Sequence, residues 1–231
     1  MKLALPGVSQ AATFSSKQAP QRPLQRLLEG LRRPLACSDP LETADLIFVL
    51  AGQQNRKVYG LGLWREDWAK AIVLSTGRFE IRRFADFNLP GWPRLRELWL
   101  STPPKQRHFF VSFDGSDWHV ERIPVATFGT LNEIEALARW LEERPQVASV
   151  LIVSSSQHLR RVRMCCRALL PGRVLHRLIA LPAEYTLAAG QEPWSEREAI
   201  RPTLFEWSKI FLYAVVLALR RIMKGFSSDA R

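Results

Sequence analysis

The chain is poor in cysteine: Cys37, Cys165 and Cys166 are the three among its 231 residues. No C-x-x-C spacing occurs, which argues against a redox dithiol or a cysteine zinc site. The four histidines are scattered, without the H-x-H or H-E-x-x-H spacing typical of metal sites. We therefore predict no disulfide framework and no metal site, and reduced thiols favour a cytoplasmic protein.

Several common site motifs are also missing. No G-x-G-x-x-G follows the first predicted strand, which argues against NAD binding of the usual kind. Neither a P-loop nor a G-x-S-x-G occurs, so the common NTPase and hydrolase families are disfavoured. The opening residues M-K-L-A-L-P-G-V-S are too short and too broken by Pro6 and Gly7 to predict a secretory signal.

What the chain has in excess is positive charge, with a net charge of +11 and a pI of about 10.3. Such a balance favours nucleic acid, acidic lipid surfaces, or small molecules that carry phosphate or carboxylate. The basic residues are spread along the chain and no RNA- or DNA-binding signature occurs, which disfavours nucleic acid. An anionic small molecule is the predicted partner, with an anionic membrane surface as an alternative.

The sequence predicts one domain, residues 44–224, between a lead-in at 1–43 and a tail at 225–231. Residues 1–22 are polar and rich in Ser, Gln, Ala and Pro. A short amphipathic helix is then predicted by leucines at helical spacing between Pro23 and Pro34, namely Leu24, Leu27, Leu28 and Leu31.

Within the domain, buried strands alternate with helices. Four continuous apolar runs predict strands at Ala44–Gly52, Ala71–Ser75, Val147–Val153 and Val174–Leu181. Helical patterns span Asn55–Trp68, Leu131–Glu143, Gln157–Leu170 and Pro202–Met223. This alternation predicts a Rossmann-like three-layer α/β fold with a mainly parallel central sheet, helices on both faces and a C-terminal helix.

The middle region, residues 79–126, is the hardest to interpret. Pro93–Leu100 has a helical pattern. Two strand-like runs, H-F-F-V-S-F and W-H-V-E-R-I, flank the turn signal Asp114-Gly115, which predicts a hairpin.

Small, hydroxylic and basic residues follow successive predicted strands. Ligands of open parallel sheets bind beyond the carboxyl ends of the strands, where helix N-termini attract anions. Arginine adds a bidentate clamp for carboxylate or phosphate. The predicted ligand-binding residues are Gly52, Arg56, Ser75, Thr76, Gly77, Thr130, Ser155 and Arg161, with His158 and Glu133 beside them.

Structural alternatives exist for most of these residues. Ser154, Ser155 and Ser156 are suited to capping a helix, and Thr130 with Glu133 has the spacing of a capping box. The arginines at 160, 161 and 163 fit a solvated helix face. His158 lies near a predicted helix start, where the positive end of the dipole favours a neutral imidazole.

These motifs, in this order, resemble the YdcF/SanA/ElyC-like bacterial family, long labelled a domain of unknown function, over roughly residues 44–215. The strand A-D-L-I-F-V-L-A-G contains Asp45, and A-I-V-L-S-T-G ends the second strand. G-T-L-N-E matches the family's T-x-x-E element and V-S-S-S-Q-H-L-R-R its H-x-x-R element. F-E-W-S-K, with Glu206, Trp207 and Lys209, matches its closing E-W/Y-x-K.

The resemblance implies a pocket at the strand ends and adds Asp45 to its candidate residues. It also implies S-adenosylmethionine as a candidate ligand and a role in cell-envelope maintenance. Gln53 stands where the family often has a second glycine, and the middle region is longer and more aromatic than in the family. Both departures bear on which ligand is bound.

Three functions follow from these features. The first is binding of an anionic nucleotide-like or phosphorylated ligand. The second is an enzyme acting on envelope lipid-phosphate intermediates or transferring methyl groups, with His158 as general acid or base and Glu133 or Asp45 tuning its charge. The third is docking on a membrane surface from the cytoplasm, peripheral at the inner membrane. The apolar run Ile210–Leu219 is too short to span a bilayer, so burial in the domain is favoured over an interfacial helix.

Overall fold

The computed structural model describes residues 29–124, 129–186 and 196–228. Three leucines of the predicted amphipathic helix, Leu24, Leu27 and Leu28, lie outside the described residues, as do 1–22 and 229–231. Leu31 and Cys37 belong to the predicted lead-in and contact the domain. The backbone carbonyl of Leu31 accepts a hydrogen bond from Trp207, and that of Cys37 accepts one from Arg163.

Six strands form one sheet: β1 (Ala44–Val49), β2 (Ala69–Thr76), β3 (Phe109–Phe113), β4 (Trp118–Arg122), β5 (Ser149–Ser154) and β6 (Leu175–Ala180). Their order in the sheet is β4-β3-β2-β1-β5-β6. The parallel strands β1, β2, β5 and β6 make up two thirds of it, and β3 and β4 add an antiparallel edge. The predicted mainly parallel sheet is therefore confirmed.

Helices cover both faces of this sheet. They are α1 (Gln54–Arg65), α2 (Ile81–Phe84), α3 (Trp92–Ser101), α4 (Gly129–Glu142), α5 (Leu159–Leu169), α6 (Ala183–Thr186) and α7 (Glu196–Ser228). Successive residues of β1 point to opposite sides: Phe48 belongs to a core with α4, α5 and α7, and Ile47 to a core with α1 and α3. Burial on both faces explains the uninterrupted apolar runs, and the predicted three layers are confirmed.

The aromatic middle region builds the antiparallel edge. The Trp64 ring of α1 packs edge-on against Phe113 and Trp118, with ring centroids 5.2 and 5.8 Å apart. The predicted hairpin turns at Gly115, whose φ is +102°, and the Asp114 carboxylate accepts the backbone N–H of Ser116 at 3.0 Å. These aromatics extend the core under α1 and β3.

The long helix α7 departs from its prediction as a buried closing element. By length and composition alone, its stretch Ile200–Met223 is long and apolar enough to cross a membrane. Only 17% of the most apolar part of this stretch is buried against the rest of the protein. Phe211 is 72% exposed and Met223 is 70% exposed. Burial in the domain is therefore wrong for the outward side of this helix, and the apolar stretch extends beyond the run Ile210–Leu219 that was judged too short to span.

The chain reverses its direction of travel across the sheet beside β1. The path β1-α1-β2 moves to one side of β1, and β5-α5-β6 moves to the other. The carboxyl ends of β1 and β5 thus flank the switch point at which open α/β sheets bind ligands, and this strand-end region is named the crevice.

Candidate functional site

Three loops meet at this crevice, following β1, β2 and β5. In the first, Gly52 adopts a φ of +131°, and its N–H donates to Glu80 Oε1 at 2.7 Å. A Cβ built on Gly52 lies 2.9 Å from the guanidinium Nη1 of Arg56. The positive φ therefore favours glycine at this position, and any side chain here would also displace the guanidinium of Arg56.

Arg56 joins the loops after β1 and β5. Its side chain comes from α1 and the residue is only 6% exposed. Nε donates to Ser155 Oγ at 3.0 Å, and Nη1 donates to the carbonyl of Ala51 at 2.7 Å. Burial lowers the pKa of Arg56, and the nearby carboxylates of Glu133 and Glu80 oppose that shift. The Ser155 hydroxyl thus accepts a hydrogen bond from Arg56 and does not cap the helical turn that follows.

Glu133 is the centre of a second cluster at the end of β2. This α4 carboxylate accepts the backbone N–H of Ala51 at 2.8 Å and the hydroxyl proton of Ser75. His108 Nε2 lies 3.4 Å from Ser75 Oγ and 3.7 Å from Glu133 Oε1. Burial alone raises the pKa of Glu133, but the contacts with His108, Ser75 and Ala51 outweigh it, so the pKa is lowered. Glu133 therefore stays ionised, and its contacts are not those of a capping box with Thr130.

Arg161 and His158 share one carboxylate, that of Glu206 on α7. Arg161 Nε donates to Glu206 Oε1 at 2.6 Å, and Nη1 donates to the Thr130 hydroxyl. His158 Nδ1 lies 3.0 Å from Glu206 Oε2. Burial opposes ionisation of Glu206, yet these two partners hold its pKa at about 2.

The tautomer of His158 follows from these contacts. Arg161 Nη2 lies 3.3 Å from the same Nδ1, but an N–H donor cannot satisfy another donor. The shorter contact with a carboxylate assigns the proton to Nδ1, which leaves Nε2 with its lone pair. Burial lowers the pKa of His158 and Glu206 opposes the shift, so the net direction favours neutral imidazole.

Asp45 is not brought to this group. It is the second residue of β1, at the amino end, where its carboxylate accepts the backbone N–H groups of Ala148 and Ser149, each at 2.9 Å. A strand of this length spans roughly 17–20 Å, which separates Asp45 from His158 by the height of the sheet. This placement gives Asp45 a role in joining β1 to β5 and does not support its predicted partnership with His158.

The other predicted residues lie at the end of β2 and on α5. Gly77 donates its N–H to Glu80 Oε1 at 3.1 Å. The Thr76 hydroxyl is buried with no hydrogen-bond partner among the described residues. The solvated-face alternative holds for Arg160, which is exposed, whereas Arg163 pairs with Asp39 at 2.7 Å.

Sequence reasoning missed four residues that the structure places here: Lys57, Glu80, His108 and Glu206. Lys57 is 1% exposed and pairs with Glu80, which also holds the loop glycines. The E-W-x-K element contains Glu206 and was a usable signal. Nothing in the local sequence marks Glu80 or His108, because their partners are distant in the chain.

Thiol and metal chemistry have no centre among the described residues. There, no group of three or more His, Cys, Asp or Glu side chains is placed to hold a metal ion. Burial raises the pKa of Cys165 to about 12 and that of Cys166 well above its ordinary value. Both residues belong to α5, and their side chains pack in the core as unreactive thiols.

Comparison with known proteins finds no matching family model, no matching curated protein and no matching solved structure. Membership of the YdcF/SanA/ElyC-like family therefore stays a prediction from the motifs.

Proposed function

We propose that this protein binds an anionic phosphorylated or nucleotide-like ligand in the crevice between β1 and β5. The observation that carries the proposal is the closeness of two guanidinium groups there. Arg56 Nε donates to Ser155 Oγ at 3.0 Å, and Arg161 Nη2 lies 3.3 Å from Nδ1 of the neutral His158. The charge of Arg161 also lowers the pKa of Arg56, in addition to the larger effect of burial. An anion between the two arginines would relieve this repulsion and would offer oxygens in the geometry that guanidinium groups recognise.

The motif resemblance extends this proposal. It supports S-adenosylmethionine as one ligand to test and cell-envelope maintenance as the process. The reduced thiols and the apolar C-terminal helix support a cytoplasmic protein that works at the inner membrane. Gln53, in place of a second loop glycine, limits how closely a ligand approaches the backbone after β1.

Thermal-shift measurements with nucleotides, S-adenosylmethionine, inorganic phosphate and polyprenyl phosphates test the binding proposal. A ligand at 100 times its Kd is expected to stabilise the fold by about 2.7 kcal/mol. Arg56→Gln removes a charge-assisted contact and is expected to weaken binding by roughly tenfold to hundredfold. Arg160→Gln, the same change at an exposed position two residues from His158, serves as the control. Stabilisation by none of these ligands, or equal stabilisation in Arg56→Gln, contradicts the proposal.

A second candidate is an enzyme that acts on the phosphoryl group of an envelope lipid intermediate. The His158–Glu206 contact at 3.0 Å favours it, because a carboxylate that holds Nδ1–H leaves Nε2 free as a general base. Water attacks phosphorus and passes its proton to Nε2 as the bond to the leaving oxygen breaks, with the electron pair staying on that oxygen. Glu206, and neither Glu133 nor Asp45, is the positioning partner in this version.

Phosphate release from a polyprenyl pyrophosphate tests the enzyme proposal. His158→Gln is expected to lower kcat by about 10²–10⁴-fold, the usual contribution of a general base. Glu206→Gln keeps a hydrogen-bond acceptor but loses the charge, so its pH–rate profile is expected to shift to lower pH. Unchanged turnover in His158→Gln rules out this role, and unchanged ligand binding in the same variant leaves the binding proposal intact.

A further inference from the structure

Helix α7 has two faces with different roles. Its inward face places Thr203, Glu206 and Tyr213 against the domain, each less than 7% exposed. Its outward face carries large apolar side chains between 48% and 72% exposed, including Phe205, Phe211, Leu212, Leu219, Ile222 and Met223. A helix face with this many exposed apolar side chains is typical of an interaction site.

The charge distribution identifies the partner. Three basic residues, Arg220, Arg221 and Lys224, follow the apolar run Ile210–Leu219, and Arg201 lies before it. The net charge of the whole chain is +11. Basic residues beside an exposed apolar helix face are typical of helices that lie in the headgroup region of anionic membranes. A second copy of this chain would bring two such basic ends together, which disfavours self-association through the same face.

The inward face determines how the helix meets the membrane. Glu206 is ion-paired with Arg161, and Arg220 lies 3.3 Å from Glu135 of α4. A spanning orientation requires α7 to leave these partners and to carry Glu206 and Lys209 into the hydrocarbon region, where charges are costly. An in-plane orientation keeps every one of these contacts and buries only the outward face.

We propose that α7 lies in the plane of an anionic lipid bilayer, with its outward face among the acyl chains and its inward face still on the domain. Glu206 is the neighbour of Phe205, so docking also brings the crevice residues His158 and Arg161 close to the headgroups. The docking does not depend on the ligand proposed above, because the outward face contributes no side chain to the crevice contacts of Arg161 or His158.

Flotation of the full chain with lipid vesicles tests this inference. We expect binding to phosphatidylcholine vesicles that contain phosphatidylglycerol at low salt, and less binding to pure phosphatidylcholine. The double substitution Phe211→Glu with Leu219→Glu is expected to lower the bound fraction by about tenfold or more. Leu100→Glu on α3 is the matched control, since Leu100 is 58% exposed and Leu219 is 55% exposed.

Two further measurements complete the test. Carbonate extraction of bound protein is expected to release it, whereas retention overturns the in-plane orientation in favour of a spanning helix. Light scattering gives the oligomeric state: a dimer that Phe211→Glu with Leu219→Glu dissociates identifies a second copy as the occupant and overturns the proposal. Absence of flotation with the anionic vesicles overturns it as well. Because ligand thermal shifts are measured without vesicles, failure of docking and failure of ligand binding are separable.

Discussion

Replacing Glu206 with leucine is expected to lower the free energy of unfolding by about 3–5 kcal/mol at pH 7, because it leaves a buried arginine without its counter-charge. The side chains of Arg161 and Glu206 are 8% and 3% exposed, so water cannot replace the lost partner. His158 loses the acceptor of its Nδ1 proton in the same step. Urea unfolding followed by tryptophan fluorescence measures the loss.

The control for this substitution is Glu135→Leu on α4. Glu135 pairs with Arg220 at 3.3 Å, but both side chains are about 40% exposed, so the change is expected to cost less than about 1 kcal/mol. Equal losses in the two variants would show that burial of the Glu206 pair has no energetic consequence.

The pH dependence gives an independent check on Glu206. Its folded-state pKa of about 2 lies below the ordinary value of 4.5, so its stabilising contribution is present above pH 4.5. That contribution is lost as the pH falls from 4.5 through about 2. The difference in stability between the wild type and Glu206→Leu is therefore expected to narrow over this interval. A constant difference would mean that the effect of leucine arises from packing alone.

The strands and their order could be predicted because burial on both faces leaves a mark that is local in sequence. Ala44–Val49 and Ser149–Ser154 each contain a continuous apolar run, and their parallel pairing follows from the helices between strands. Strand ends were less accurate. The first strand was predicted to reach Gly52 but ends at Val49, since the chain turns through the positive φ of Gly52.

Helix α7 misled the sequence reasoning because both of its faces carry large apolar residues. Tyr213 on the inward face and Phe211 on the outward face are both large aromatic residues, so the sequence does not distinguish them. Their exposures of 6% and 72% are decided by the neighbouring helices. Periodicity separates faces only when one of them is polar. The sequence therefore predicted the helix and could not predict which side was free.

The candidate site was predicted in its location and less well in its pairings. Gly52, Arg56, Ser155 and Arg161 follow strands that end at the same edge, so topology alone brings them together. The carboxylate partner of His158 comes from Glu206, 48 positions later, and spacing cannot identify such a pair. Asp45 was placed in the site by motif resemblance alone. Its position at the start of β1 puts it at the opposite end of the strand from the site, so the direction of the strand decides whether a motif residue belongs to the site.

The pair Lys57–Glu80 leads to the second large effect, and the two partners are expected to respond unequally. Glu80→Leu leaves an ammonium group that is 1% exposed without a counter-charge, and is expected to cost about 3–5 kcal/mol. Lys57→Met keeps the apolar stem and leaves Glu80 bound to the N–H groups of Gly52 and Gly77, so it is expected to cost less than about 1.5 kcal/mol.

The sign of the pH dependence identifies the cause of this asymmetry. Burial already lowers the pKa of Lys57, and Glu80 opposes that shift, so removing Glu80 lowers the pKa further. Between the lowered pKa of the folded state and the ordinary value of 10.5, the unfolded chain then binds more protons than the folded one, so the stability of Glu80→Leu is expected to rise with pH over that interval.

Two further variants test whether the unpaired ammonium causes the loss of stability. Adding Lys57→Met to Glu80→Leu removes the unpaired ammonium and is expected to restore part of the lost stability. Glu97→Leu is the matched control, because its pair with Arg94 at 2.7 Å is more than half exposed and contributes little. If the double variant is no more stable than Glu80→Leu alone, the unpaired ammonium is not the cause, and the cost comes from the loop N–H groups of Gly52 and Gly77 that have lost Glu80.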